Sequence, residues 1–130
     1  MSTPTVRWCD RTLLRAPYFL LCTTEARYLE MCRQLDIPYP SPWLNPGAHA
    51  TAHMLTHEGR DICIVTIDGK LAKSYSGIAI AALLVHEAVH VFQFLCRSIG
   101  EHSPSSEFEA YAIQNISEEL MEAYSRETVP

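Results

Sequence analysis

Basic residues are in short supply in this sequence. Ten Lys and Arg residues stand against fifteen Asp and Glu residues, and the formal net charge is −5. The basic residues are scattered, with only a small concentration at Arg7, Arg11 and Arg15. Because nucleic acid is bound mainly through clustered positive charge, this balance argues against a nucleic-acid-binding protein.

Long uninterrupted apolar runs are also missing. A membrane-spanning helix needs about 18 or more consecutive apolar residues, and the nearest approach, residues 77–99, is interrupted by two histidines and a glutamate. The N-terminus, MSTPTVRWCDR, lacks the apolar segment of a secretory signal peptide. We therefore expect a cytoplasmic protein that does not span a membrane.

Cysteine is present without any recognisable pairing pattern. The count is odd, and no C-x-x-C motif occurs. Most of the cysteines lie among apolar neighbours, which predicts buried free thiols in a reducing compartment rather than disulfides or a nucleophile. They are Cys9, Cys22, Cys32, Cys63 and Cys96.

Composition and pattern predict one small α+β domain over residues 1–130. Hydrophobic residues make up 48% of the chain, enough for one core, and no segment has low complexity. Residues 18–22 form a short strand-like run, and residues 51–56 and 62–67 predict a hairpin around a turn at 58–61.

A helix is predicted over residues 24–35, after the first strand-like run. Thr23 or Thr24 can cap it, and the side chains expected on its inner face are Tyr28, Leu29, Cys32 and Leu35. Four prolines between residues 38 and 46 then predict a loop, because proline resists both helix and strand pairing. Trp43 in this loop is expected either to pack over the core or to line a binding cleft.

The stretch GIAIAALLVHEAVHVFQFLCRSI, residues 77–99, predicts a long helix. Ser74 or Ser76 can cap its start, and Gly100 stands where a C-cap belongs. No proline interrupts it.

This helix contains His-Glu-Ala-Val-His at residues 86–90. Residues four apart share a helix face, so His86 and His90 can bind one ion. Zinc suits two imidazoles, and a catalytic zinc site adds a third protein ligand and an open position for water. Glu87 is placed to accept a proton from that water. The alternative is a chance pair of helix histidines, but such polar groups are costly to bury without partners.

Three residues downstream are candidates for the third ligand: His102, Glu107 and Glu109. A second helix is expected here, with Ser103 as its N-cap and Pro104 at its first position.

The apolar stripe of this second helix favours Glu109. The stripe runs through Ala112 or Ile113, Ile116, Leu120 and Tyr124, and Glu109 continues it backward, whereas Glu107 falls on a more polar face. A carboxylate on a buried stripe needs a partner, which a zinc ion would supply. If the helix starts later, Ser106 and Glu109 instead form a capping box, and His102 becomes the third ligand.

Other polar residues are further candidates for the site. His49, His53 and His57 recur every four residues, which suggests either a second metal site or solvent-facing strand histidines. The second interpretation is favoured because no carboxylate or cysteine completes a coordination set. Tyr75 and Tyr111 could donate a hydrogen bond to an oxyanion, but packing is their more common role.

HEAVH followed by EFEAYAIQ resembles the glutamate-type zinc metallopeptidases, the gluzincins, over about residues 60–126. The pattern is closest in style to ImmA/IrrE-type domains, and it also resembles short metallopeptidase-like proteins of tailed phages and prophages. The resemblance implies a minimal zincin-like fold with His86 and His90 as zinc ligands, Glu87 as the catalytic acid/base and Glu109 as the third ligand. ImmA-type proteins tend to have Glu-Ala-Asn or Glu-Ala-Asp where this chain has Glu-Ala-Tyr.

The resemblance also implies that the strand before the metal helix, residues 62–67, lies along the cleft and pairs with an extended substrate. The alternative is an internal strand with no free edge.

The expected function is therefore zinc-dependent hydrolysis of peptide bonds in a peptide or protein substrate, by a phage- or prophage-encoded enzyme. One alternative is a zinc-stabilised binding module without turnover, such as a phage accessory protein that docks on a host or virion partner. A structural zinc site is usually closed by four protein ligands and needs no general base, so the free Glu87 favours the enzyme. A repressor-cleaving regulator is a weaker alternative, suggested only by analogy.

Overall fold

The computed structural model describes residues 6–9 and 18–128. Arg11, Arg15 and the residues 1–5 at the N-terminus lie outside the described residues. The predicted α+β class is confirmed: the described residues form a three-stranded mixed sheet and three α-helices. The elements are β1 (Tyr18–Cys22), α1 (Glu25–Gln34), β2 (Ala50–His57), β3 (Arg60–Ile67), a 3-10 helix (Gly69–Lys73), α2 (Gly77–Ile99) and α3 (Ser106–Thr128).

The order of the strands decides which of them has a free edge. The order is β1-β3-β2, with β1 parallel and β2 antiparallel to β3. Both edges of β3 are therefore paired, and the prediction that this strand binds a substrate by strand addition is wrong. Within the described part of the chain, β2 pairs only with β3, so its outer edge is free.

The hairpin of β2 and β3 is confirmed, and both strands extend slightly beyond the predicted bounds. Glu58 and Gly59 form the turn, with φ of 51° and 75°. Two consecutive residues with positive φ are typical of the tight turn whose twist matches a hairpin, and glycine meets this requirement without strain.

Side chains of the sheet alternate between two apolar layers. Leu20, Cys22, Ile62 and Ile64 pack with α1, whereas the alternate residues of the same strands pack with α2 and α3. The sheet is thus covered on both faces, which explains why β3 is apolar almost throughout. All five cysteines are buried and unpaired in these layers, as predicted.

Helix α1 is confirmed, with one error on its inner face. Thr24 is the N-cap, and its side chain accepts a hydrogen bond from the backbone N–H of Arg27 at 3.1 Å. Tyr28, Cys32 and Leu35 are buried, but Leu29 is 46% exposed and Met31 takes the expected inner position. Met31 completes the spacing of three and four residues that one helix face requires.

Helix α2 has the predicted bounds. The Ser76 side chain accepts a hydrogen bond from the backbone N–H of Ala79 at 3.1 Å, and Gly100 ends the helix with φ of 74°. By length and composition this helix could also cross a membrane, a test that core helices of globular domains pass as well. Here its most apolar face is buried against the sheet and α3; the residues are Leu84, Ala88, Val91 and Leu95.

Helix α3 begins later than predicted. The Ser105 side chain accepts a hydrogen bond from the backbone N–H of Phe108 at 3.3 Å, so Ser105, not Ser103, provides the N-terminal cap. Pro104 precedes the cap instead of opening the helix. The serines on either side of Pro104 offer competing caps of equal chemistry, so the local sequence could not select between them.

Candidate metal centre

His86 and His90 lie one turn apart on α2, and their rings are in contact edge to face. The two Nε2 atoms are 3.2 Å apart, and the ring planes are inclined by 75°. In tetrahedral zinc sites the Zn–N distance is about 2.0–2.1 Å, which places two ligand nitrogens about 3.3–3.4 Å apart. The side chains are therefore spaced as two ligands of one zinc ion would be.

Glu87 is buried beside this pair. Its side chain is on the flank of α2 that faces β2 and β3, the residue is 4% exposed, and its Oε2 atom has no hydrogen-bond partner among the described residues. Burial raises the pKa of this carboxyl above its ordinary value, while His90 and His86 oppose the rise. A carboxylate with a raised pKa and a free oxygen is suited to accept and release a proton.

Below Glu87 lies Cys63 of β3. Burial raises the pKa of the Cys63 thiol to about 12, and the charge of Glu87 adds to the rise. This cysteine is therefore protonated at neutral pH and is not a nucleophile.

One cleft of the candidate centre lies between α2 and the edge strand β2. The side chains that β2 directs toward α2 are small at two of three positions, Ala50 and Ala52, with Met54 at the third. The proline-rich loop closes one side of this cleft through Asn45 and Ala48. His86, Glu87 and His90 line the cleft opposite the strand.

Glu109 lies in a second cleft, between α2 and the start of α3. Successive residues of a helix turn by about 100°, so His86, His90, Gln93 and Arg97 form one stripe along α2. The first cleft adjoins this stripe on the β2 side, and the second adjoins it on the α3 side, where Glu109 and Gln93 both contribute to the lining.

The position of Glu109 agrees with its predicted place on the side of α3 that faces α2, but not with its predicted burial. Glu109 does line the contact between α3 and α2, whereas Glu107 does not. Its burial was predicted wrongly: Glu109 is exposed, because Phe108, which packs against Phe92, continues the buried stripe of α3 in its place. Among the described residues, no group of three or more His, Cys, Asp or Glu side chains is arranged to hold a metal.

His102 lines the same second cleft as Glu109 and is exposed in the connection between α2 and α3. The capping-box alternative for Ser106 and Glu109 is not observed, since the cap is Ser105. Glu109 therefore remains the predicted third ligand, and His102 remains its alternative.

Gln93 is the residue of the centre that the sequence analysis missed. Its Oε1 lies 3.1 Å from Nδ1 of His90, the ring nitrogen that does not approach His86. The signal was available, because Gln93 follows His90 by three residues and so shares its helix face.

His53, on strand β2, has a structural role. The prediction that it faces solvent is wrong, because His53 is 7% exposed and packs its ring against Tyr28 at 4.7 Å. His53 Nε2 lies 2.9 Å from the carbonyl oxygen of Trp43, which also accepts a hydrogen bond from the Thr66 hydroxyl. Burial lowers the pKa of His53. His53 therefore fastens the proline-rich loop to the sheet.

Of the remaining candidates, Tyr75 forms a pair with His49. Its hydroxyl lies 2.9 Å from Nε2 of His49. Tyr111 is 61% exposed on α3. Trp43 packs at the edge of the α1 layer, the first of its two expected roles.

Comparisons with protein-family models, curated proteins and solved structures find no match to this chain.

Proposed function

We propose that this protein is a zinc-dependent metallopeptidase built on a minimal zincin-like domain. The observation that carries the proposal is the histidine pair with its buried neighbour: two Nε2 atoms 3.2 Å apart, beside a carboxylate whose Oε2 has no partner. A zinc ion bound there would polarise the substrate carbonyl and lower the pKa of a bound water.

The protein's own residues then have distinct roles. His86 and His90 would bind the ion through Nε2, and Glu109, which lines the adjoining cleft, is the predicted third ligand. Glu87 accepts the proton of the attacking water and donates it to the leaving amine. Its burial keeps the carboxylate in a low-dielectric site, where its proton affinity is high.

The substrate that fits this arrangement is an extended peptide. The free edge of β2 offers backbone N–H and C=O groups for pairing, and the same strand lines the cleft that contains Glu87. Pairing along β2 would lay a peptide past the histidines, with Ala50 and Ala52 leaving room for its side chains. In this proposal β2 pairs with the substrate, the role that the resemblance implied for residues 62–67.

Zinc binding and peptide cleavage test the proposal separately. Calorimetric titration of wild-type protein should show one zinc per chain, and His86→Ala or His90→Ala should abolish high-affinity binding. His57→Ala, which removes a histidine far along β2, is the matched control and should bind zinc normally. Full zinc occupancy in a double variant of His86 and His90 would refute the site.

Turnover is tested with Glu87→Gln in a proteomic cleavage screen. The variant should retain zinc, but lose on the order of 10²- to 10⁴-fold in hydrolysis, as expected on removal of a general base. Glu118→Gln makes the same chemical change at an exposed position of α3 and should cleave like wild type. If wild type binds zinc but cleaves nothing, the zinc-stabilised binding module is the correct function.

A further inference from the structure

We infer that Gln93 is a positioning residue that holds His90 in the orientation and tautomer needed for metal binding. The inference rests on the proposed function, and it assigns to Gln93 the task of presenting the Nε2 lone pair of His90. The contact that carries it is the 3.1 Å approach of Gln93 Oε1 to His90 Nδ1.

The direction of this hydrogen bond determines where the imidazole proton lies. An amide oxygen only accepts, so Nδ1 of a neutral His90 must carry the proton that it donates to Gln93. Nε2 of His90 is then deprotonated and can bind a cation. Metal-ligating histidines commonly donate their other ring N–H in this way, which fixes both the tautomer and the ring orientation.

The position of Gln93 is suited to this role. It is exposed on the stripe of α2 that joins the two clefts, so its side chain has no core-packing function that would explain its placement. It contacts His90 and also lines the cleft that contains Glu109, the predicted third ligand.

The test compares Gln93→Leu, which removes the acceptor, with Gln93→Glu, which keeps an acceptor and cannot donate. Zinc affinity should fall about 10- to 100-fold in Gln93→Leu, the usual loss when such a partner is removed. Gln93→Glu should rescue it. Gln114→Leu makes the same chemical change at an exposed position of α3 and should leave zinc affinity unchanged.

A second readout does not depend on the metal. Two-bond ¹H–¹⁵N spectra of the metal-free protein should show the His90 proton on Nδ1 in wild type and Gln93→Glu, and a shift toward Nε2 in Gln93→Leu. If wild type binds zinc and Gln93→Leu changes neither affinity nor tautomer, the role of Gln93 is refuted alone. If wild type binds no zinc, the proposed function and the metal-positioning role both fail.

Discussion

The buried carboxylate of Glu87 should destabilise the metal-free protein in a pH-dependent manner. At 4% exposure and with no partner for Oε2, the ionised group pays for its desolvation without a compensating hydrogen bond. Leaving a buried polar group unpaired costs about 1–3 kcal/mol, and more for a charged group. Glu87→Gln removes the charge while keeping the size of the side chain.

The direction of this pH dependence follows from the pKa of Glu87. The pKa of Glu87 in the folded protein is raised above the ordinary 4.5 by burial. The contribution of Glu87 to stability is therefore greatest below pH 4.5 and is lost as the pH rises through the raised value.

Thermal and urea denaturation with a chelator present provide the assay. At pH 8 Glu87→Gln should be more stable than wild type by about 1–3 kcal/mol, or about 4 °C in Tm for each kcal/mol in a protein of this size. At pH 4 the two proteins should be equally stable, since the carboxyl is then neutral. Glu118→Gln, at an exposed site, should show no such crossover. If Glu87→Gln is less stable than wild type at both pH values, the carboxylate has a partner in solution and the reasoning fails.

Three further outcomes are expected. Zinc affinity should fall much more in Glu109→Ala than in Glu107→Ala or His102→Ala; loss only in the His102 variant would indicate a three-histidine site. Because burial lowers the pKa of His53, its contribution to stability should be lost as the pH falls below about 6.5, and His53→Phe, followed by urea denaturation between pH 7 and 5, should remove this part of the pH dependence. Ser76→Ala should lower the free energy of unfolding by about 1 kcal/mol through the lost cap, and leave zinc stoichiometry intact in calorimetry; a neutral effect on stability would contradict the capping role.

Local signals in the sequence were sufficient for several elements. The hairpin follows from two strand-like runs around Glu58 and Gly59, since a two-residue turn depends only on neighbouring residues. The bounds of α2 follow from Ser76 and Gly100, and the spacing of His86 and His90 follows from helix geometry alone. Each of these features is set by residues within a few positions of one another, which explains why the sequence alone determined them.

Features that depend on contacts between distant segments could be determined only from the tertiary structure. The parallel pairing of β1 places β3 in the centre of the sheet and leaves β2 as the edge. Burial of His53 depends on α1 and the proline-rich loop, and exposure of Glu109 depends on how far around α3 the contact with α2 extends. Periodicity tells which face of an element a residue occupies, but the depth of that residue is decided by what packs against the face. The sequence alone therefore determined the histidine pair and its helix. Only the tertiary structure decided that Glu87 is buried beside the edge strand β2, with no hydrogen-bond partner for its Oε2 among residues 6–9 and 18–128.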